Sequence, residues 1–369
     1  MPIENVILTT DLCRYCLMCR HVAPVEHVTH RETLSPHGIA LVIASVRRGL
    51  LEWNEDSVDV VYGASDNGNS RAHCVFDNPL PEAIAAARSE IAAQGLAPAS
   101  AYQVDAALQA WGTPFAQQLP ERAERKGEVA LFVGDEARYL WPQALPAALQ
   151  LLQAAGVDPV LIGQGRSNGF IPSSLGFPGT AQEIARANLA ELEASGANRM
   201  LVLSPGDYFT FHQLYDERLG IQWPEDVELE EVTPFLARQL EGGGLRLKRS
   251  VDQTPYAYVD PTHAVRAPAR HAAPRLLLSA VMQDKPRELF WRKERGHPVG
   301  STALQFTHPH IAGQLTLARL EDAQSSGARW LLSDDPGTLS KLEGLAQGFG
   351  LRVQGLFELL AEQLDDQTI

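Results

Sequence analysis

Three cysteines near the N-terminus have the spacing of a metal-cluster motif. Cys13, Cys16 and Cys19 follow one another at C-x2-C-x2-C spacing, and the fourth cysteine of the chain is Cys74. Each two-residue spacer makes a tight turn, so the three thiolates surround one small volume. This suits a cubane iron–sulfur cluster, which needs four soft sulfur ligands. A zinc site, which more often uses two separated C-x2-C pairs, and unligated thiols are the alternatives.

The distant fourth cysteine is explained by an exchange of ligands between two motifs. In two-cluster ferredoxin modules the motif is C-x2-C-x2-C-x3-C-P, and its fourth cysteine ligates the other cluster. The first motif has Ala23 at that position, and the same spacing read backwards from Cys74 gives Ala64, Asn67 and Ser70. The sequence therefore predicts one complete site and one that has lost every ligand. The complete site would hold one [4Fe-4S] cluster on four residues: Cys13, Cys16, Cys19 and Cys74.

Helical patterns lie beside both motifs. The segment SPHGIALVIASVRRGLLEW (35–53) has apolar residues at helical spacing. The segment PLPEAIAAARSEIAAQG (79–95) has Pro81 and Glu82 at a helix start and Gly95 at its stop. We expect both helices to pack around the cluster.

The remainder of the chain alternates short β patterns with longer helical ones. Residues 96–127 are rich in Ala, Pro and Gln and predict a linker with a short helix. The strand patterns that follow are VALFVG (129–134), PVLIGQG (159–165), RMLVLSP (199–205), YAYVDP (256–261) and RWLLSDDP (329–336). Such alternation predicts parallel α/β sheets with helices on their faces.

Composition narrows the class of protein. The 369 residues carry 31 Lys and Arg against 45 Asp and Glu, a net charge of −14, which argues against nucleic acid or an anionic membrane as partner. No apolar run approaches the length of a transmembrane segment, and the N-terminus lacks the pattern of a secretion signal. Four cysteines, three of them clustered, do not predict a disulfide framework. We expect a cytoplasmic protein, which a partner could hold peripherally at the inner membrane.

The cysteine-rich part of the chain resembles a known module. It is similar to the α-helical ferredoxin module of the heterodisulfide reductase and glycolate oxidase iron–sulfur subunits. Two elements carry the resemblance: SP-x-G-x-x-L (Ser35, Pro36, Gly38, Leu41) and P-x-x-I-x-x-x-R (Pro81, Ile84, Arg88). Proteins of that family relay electrons between a flavoprotein and a quinone or disulfide partner.

The resemblance extends to the α/β part. Members of the family carry two CCG domains, in which cysteines at strand ends bind further clusters. The corresponding positions here are Asp135, 167–169 and 204–207 in a first copy, and Thr262, 298–300 and 335–338 in a second. Glycine and proline remain there while every cysteine is replaced, so the resemblance implies an inherited scaffold without its clusters. The disulfide-cleaving chemistry of the family is not expected.

The predicted fold is α+β and multi-domain. An N-terminal α-helical ferredoxin-like module precedes two degenerate α/β repeats of the CCG type, each with a parallel sheet. The expected boundaries are 1–95 for the module, 96–127 for the linker, 128–245 for the first repeat and 246–369 for the second.

The predicted function is electron transfer without catalysis of its own. One [4Fe-4S] cluster would relay single electrons from a flavoprotein dehydrogenase or an electron-transferring flavoprotein to a further acceptor, and any FAD or FMN would be on that partner. The alternative is an oxidoreductase enzyme that binds a small molecule or flavin in the degenerate crevice. Five residues at predicted strand ends, Asp135, Asp207, Asp260, Thr262 and His263, would line it, unless they are ordinary polar caps.

Overall fold

The computed structural model describes residues 8–117 and 125–365 of the chain, so seven positions of the predicted linker, 118–124, lie outside the described residues. The N-terminal part consists of short helices. They are α1 (Pro24–Thr29), α2 (Pro36–Arg47), α3 (Glu55–Tyr62), α4 (Asn69–Ala72), α5 (Leu80–Ala93) and α6 (Ala99–Trp111). Turns of 3-10 helix at Leu8–Leu12, Arg20–Val22 and Glu32–Leu34 join the first of them. Both predicted packing helices are present, as α2 and α5.

The start of α2 shows why the sequence reads Ser-Pro-x-Gly. The Ser35 hydroxyl accepts a hydrogen bond from the Gly38 N–H at 3.1 Å and so caps the helix. Pro36 takes the first helical position, where its missing N–H costs nothing. A methyl group on Gly38 would lie 2.3 Å from the carbonyl oxygen of Glu32, so only glycine permits this approach.

The C-terminal part combines seven strands with helices. The strands are β1 (Val129–Gly134), β2 (Val160–Arg166), β3 (Arg199–Val202), β4 (Glu228–Glu231), β5 (Tyr256–Tyr258), β6 (Trp330–Ser333) and β7 (Arg352–Gly355). The helices are α7 (Ala144–Ala154), α8 (Phe170–Leu175), α9 (Pro178–Ser195), α10 (Pro205–Phe209), α11 (Tyr215–Glu217), α12 (Val232–Glu241), α13 (Ala272–Val281), α14 (Leu304–Thr307), α15 (Pro309–Ser325), α16 (Pro336–Ala346) and α17 (Leu356–Glu362). Turns of π-helix follow β1 and α10, at Glu136–Leu140 and Thr210–Leu214.

The strands form two parallel sheets. The first has the order β2-β1-β3-β4, and the second has the order β5-β6-β7. In the first sheet Ala130 pairs with Val160 on one side and with Met200 on the other. The prediction of an α+β chain with parallel sheets is confirmed. Strands β4 and β7, each at a sheet edge, were not among the predicted ones.

The helical part and the first sheet share a hydrophobic core. Ile43 and Ile84 of the helices belong to the same buried cluster as Phe132 of β1. The other face of β1, with Leu131, packs in a second cluster that includes Trp330 of β6. The sheets are therefore held together by apolar contact on both sides of β1. The ferredoxin-like module, the CCG-type repeats and their boundaries stay predictions.

Arg88 fixes α5 to the C-terminal part. This fully buried side chain donates hydrogen bonds to the carbonyl oxygens of Val61 and Ala64, at 2.9 and 2.8 Å. It also donates to the carbonyl oxygen of Ser174 in α8, at 2.7 Å. A buried guanidinium needs such acceptors because its desolvation is costly. The arginine of the P-x-x-I-x-x-x-R element thus has a structural role.

The described helices do not meet the requirements of a membrane-spanning helix. Within residues 8–117 and 125–365, no helix combines the length and the apolar character that crossing a bilayer requires.

Candidate functional site

All four cysteines line one cavity of about 370 Å³. Three of them come from the loop that joins the 3-10 turns Leu8–Leu12 and Arg20–Val22, whereas Cys74 follows α4. Each is a free thiol; that of Cys16 is exposed, and the others are partly buried. The structure therefore brings Cys74 to the three cysteines of the N-terminal motif.

The cysteine loop has an uncommon backbone conformation. Tyr15 and Leu17 have positive φ angles, 50° and 62°, while the residues between and beside them do not. A left-handed conformation costs a side-chain-bearing residue roughly 1–2 kcal/mol. Alternation of this kind turns successive N–H groups toward one side, where they can face an anion. The N–H of Tyr15 already points at the Cys13 sulfur.

The thiols perturb one another. Burial raises the pKa of the Cys19 thiol to about 11, and the nearby Cys13, Cys74 and Cys16 groups add to the rise. Burial likewise raises the pKa of Cys13. Because thiolates are the metal ligands, metal binding here must displace protons. In the part of the chain that the structure describes, no group of three or more His, Cys, Asp or Glu side chains could hold a metal ion.

Exposed apolar side chains surround the cysteine cavity. We call this set the apolar rim; its members are Leu12, Tyr15, Leu17, Met18, Val75 and Phe76, each at least 42% exposed. All but Val75 line the cavity itself. The sequence analysis missed the rim, although most of its members stand directly beside the cysteines. His37 also lines the cavity, and its Nε2 lies 2.6 Å from a Glu32 carboxylate oxygen.

The four positions that the motif spacing assigns to a second site also converge. Ala23, Ala64, Asn67 and Ser70 line one cavity of about 420 Å³, close in volume to the cysteine cavity. The Ser65 hydroxyl donates to the Asn67 side-chain oxygen at 3.1 Å. The structure therefore places the two sets of positions as two separate groups of four, which is the grouping that the motif spacing predicts.

A third cavity lies at the carboxyl ends of the strands, and we call it the strand-end crevice. It receives residues that follow strands of both sheets, including Asp135, Asp207, Thr262 and His263. Asp335, which follows β6, lines it as well. The structure thus brings together four of the five crevice residues named from the sequence. The fifth, Asp260, is not among the lining residues; its carboxylate accepts hydrogen bonds from Arg275, at 3.0 and 2.8 Å. The structure also adds Glu136, Ser204 and Ser301, which the sequence analysis did not single out as site residues.

Hydrogen bonds fix several of the crevice side chains. Asp207 accepts from the Asn168 amide at 2.8 Å and from the Ser204 hydroxyl at 3.0 Å. Asp135 accepts from the Thr113 hydroxyl at 3.2 Å. These bonds hold the carboxylates in defined positions.

Burial makes the crevice carboxyls retain protons. It raises the pKa of Asp135 to about 7, with a further rise from the Asp207 charge. It raises the pKa of Asp207 to about 6 and that of Asp335 above its usual value. Burial and the Asp335 charge raise the pKa of Glu136 well above its usual value. With pKa values of about 7 and about 6, Asp135 and Asp207 are partly protonated near neutral pH.

Comparison with known proteins shows the fold. No family and no curated protein matches the sequence. Among solved structures, the chain is similar to a hypothetical protein from Helicobacter pylori, with a TM-score of 0.62 and 10% sequence identity. The alignment covers 100% of this chain and 78% of that one. At this identity the likeness shows the fold alone, so the function must be argued from the chain's own sites.

Proposed function

We propose that the chain is an electron-transfer subunit with one [4Fe-4S] cluster. Its ligands would be Cys13, Cys16, Cys19 and Cys74. Such a cluster takes up and releases one electron at a time. The donor would be a flavoprotein dehydrogenase or an electron-transferring flavoprotein that carries FAD or FMN, and the acceptor would be a further redox partner.

The observation that carries this proposal is the meeting of four thiols at one cavity. Cys74 is far from the other three cysteines in sequence, and yet it lines the same cavity as they do. Four sulfur ligands spread around a cavity fit a cage of several irons. A zinc ion would need its ligands drawn close around one point, about 2.3 Å from each sulfur.

The residues around the cysteines would control access to the cluster. The loop with Tyr15 and Leu17 in left-handed conformation would direct N–H groups toward the bound sulfur, which stabilises negative charge there. Cys16 is exposed, so this side of the site is open to a partner. Electron transfer is efficient only over short distances, and an exposed edge permits a close approach.

The apolar rim would form the contact surface for the partner. Exposed apolar patches on soluble proteins often mark interaction sites. Residues 8–50 carry five arginines against three acidic residues, a net charge of +2, in a chain whose net charge is −14. This face is therefore the one on which an acidic flavoprotein would meet least repulsion.

Metal analysis tests the proposal directly. Protein purified without oxygen should contain about four irons and four acid-labile sulfides per chain, and its visible absorption should bleach on reduction. A content of about one zinc per chain would show that the cysteines form a structural zinc site and not a cluster site. About eight irons would mean that Ala23, Ala64, Asn67 and Ser70 do not abolish the second site.

A second candidate function is an oxidoreductase with its substrate or flavin in the strand-end crevice. The convergence of Asp135, Asp207, Thr262 and His263 on one cavity favours it. Bound flavin, or turnover by the isolated chain, would support this candidate. A protein that contains the cluster and shows neither would support the electron relay.

A further inference from the structure

The strand-end crevice lies where an open α/β sheet places ligands. The chain runs from β1 outward to β2 and then crosses to β3 on the opposite side of β1. The carboxyl ends of β1 and β3 therefore form the topological switch point of the first sheet. Asp135 follows β1 and Asp207 lies just beyond β3, so both stand at this point. The second sheet closes the cavity from the other side, with Thr262 and Asp335.

The carboxyl groups of the crevice lack adequate compensation by positive charge. Four of them line it: Asp135, Glu136, Asp207 and Asp335. Lys341 acts on Glu136, and Arg270 acts on Asp335, but Arg270 is engaged by the carboxylates of Glu231 and Asp334. The pKa of each of the four is nevertheless raised. Buried anions that are not paired call for a proton or a cation.

An unpartnered imidazole points to the same requirement. The Nδ1 atom of His263 is sealed from solvent and has no hydrogen-bond partner among the described residues. Burial, with the charges of Arg266 and Arg218, lowers the pKa of His263 to about 3, so the ring is neutral. The ring packs against Phe170 and Phe209, with centroids 4.6 and 5.7 Å away, which fixes its orientation. A fixed neutral imidazole can offer one accepting nitrogen.

The side chain of Glu136 also lines the crevice. Its carboxylate lies against Gly337 at the start of α16, where a methyl group would come within 2.7 Å of it. Protein surrounds Glu136 on most sides, but part of its surface stays accessible because it lines the cavity. What these groups lack is a donor of several N–H bonds that also carries positive charge.

We infer that the strand-end crevice binds a small organic cation through its ammonium group. The ammonium would lie among Asp135, Glu136, Asp207 and Asp335 and donate to the imidazole of His263. The hydroxyls of Ser301 and Thr262, which lie 3.3 Å apart, would contact a polar substituent of the ligand. The inference rests on the crevice alone and holds whether or not the chain carries a cluster.

Two probes of nearly equal shape test the ammonium. Ethanolamine carries a hydroxyl and an ammonium, and ethylene glycol has a second hydroxyl in place of the ammonium. The full chain at pH 8, in a buffer without amines, should unfold about 2–4 °C higher with saturating ethanolamine. Ethylene glycol, and sodium chloride at the same ionic strength, should give no saturable rise. Equal effects of the two probes, no effect of ethanolamine, or a saturable rise with magnesium chloride alone would overturn the inference.

A conservative substitution locates the effect. Glu136→Gln keeps the shape but cannot give up a proton and become an anion beside the ammonium, so half-saturation should require at least about tenfold more ethanolamine. Glu128→Gln, an exposed change just before the start of β1, is the matched control and should bind like the wild type. Binding should also weaken between pH 8 and pH 5, as Asp135 and Asp207 take up protons. This pH test needs only the wild-type protein. Unchanged binding of ethanolamine at pH 5 would contradict the proposed site. Unchanged binding by a folded Glu136→Gln protein would contradict it as well.

Discussion

Asp66 and Arg218 form a two-pronged ion pair across 152 positions of sequence, with both N–O distances at 3.1 Å. Arg266 donates to the same carboxylate, also at 3.1 Å. All three side chains are buried. Asp66 lies between Ala64 and Asn67, so this contact fastens the helical part to the α/β part beside the cavity that these residues line. A salt bridge now connects the two parts where the motif spacing would place a second cluster.

Removal of this contact should destabilise the protein. Asp66→Asn removes the carboxylate that two buried arginines share and leaves Arg218 with only the more distant Glu82, at 3.9 Å. Breaking a buried ion pair in this way typically costs about 3–5 kcal/mol. Urea unfolding at pH 7 measures the loss. A double-mutant cycle with Arg218→Met isolates the pairwise term. The exposed pair Arg199–Glu228 is the control and should couple by about 0–1 kcal/mol. Equal coupling in both pairs would show that the buried contact does not hold the two parts together.

The same contact predicts a pH dependence. Burial opposes ionisation of Asp66, but the charges of Arg218 and Arg266 outweigh it and hold its pKa well below the usual range. A carboxyl with a depressed pKa contributes its full stability above its unfolded pKa of about 3.9. The contribution is lost as the pH falls below that value. Wild type should therefore lose more unfolding free energy between pH 5 and pH 2.5 than Asp66→Asn does.

Loss of the distant cysteine should damage the cluster as much as loss of a motif cysteine. Cys74→Ser and Cys16→Ser each leave three thiolates at the cavity that the four cysteines line. Iron per chain should fall from about four to about three or fewer in both. Ala23→Cys is the control; it adds a thiol to the other cavity, where no second ligand is present, and should leave the iron content unchanged. A normal cubane spectrum in Cys74→Ser would remove Cys74 from the ligand set.

The cysteine sites could be anticipated from the sequence because their spacing is a local property. The C-x2-C-x2-C run predicts one turn-rich loop. The exchange of last ligands in two-cluster ferredoxin modules predicts that Cys74 lies beside that loop. The apolar rim could not be anticipated in this way. An exposed Phe76 and a buried Phe132 look alike in sequence, and only packing separates them. The partners of Asp66 were equally hidden, because they are 152 and 200 positions away.

Some strands were predicted from the sequence and others were missed. β1 is an apolar run that ends at Gly134, and its predicted bounds agree with the structure. β4 (Glu228–Glu231) has three acidic residues in four positions and was missed. It lies at the edge of its sheet, where one side is open and charge is tolerated. Hydrophobic runs therefore predict the central strands and the apolar edge strands β2 and β5, but they miss the more polar edge strands β4 and β7.

Four substitutions should rebuild the second cluster. Ala23→Cys, Ala64→Cys, Asn67→Cys and Ser70→Cys together place four thiols around the cavity of about 420 Å³. Iron should rise from about four to about eight per chain. The matched control omits Ala64→Cys and should bind no second cubane. If the fourfold variant folds normally and still binds about four irons, the cavity is not shaped for a cluster.

Asp135 should make the protein less stable as the pH rises. Burial and the Asp207 charge raise the Asp135 pKa to about 7, so the folded state holds its proton more tightly than the unfolded state. Unfolding free energy should therefore fall between about pH 4 and pH 7, by roughly 2–4 kcal/mol from this residue. Asp135→Asn should remove that part of the decline and stabilise the protein at pH 8. Asp158→Asn, at an exposed site, is the control; a decline of the same size in Asp135→Asn and wild type would contradict the assignment.

The apolar rim should govern electron transfer from the partner without affecting the cluster. Phe76 is 61% exposed, so Phe76→Gln should change the unfolding free energy by no more than about 0.5 kcal/mol and leave the iron content unchanged. An aromatic contact in an interface is often worth about 1–2 kcal/mol, so the apparent affinity for the donor flavoprotein should fall about tenfold. Val251→Gln, at a residue 90% exposed in the α/β part, is the matched control. Dithionite needs no docking surface, and its rate of reduction should be the same in all three proteins. Slower reduction of Phe76→Gln by dithionite would place the effect at the cluster, and unchanged reduction by the flavoprotein would place docking elsewhere.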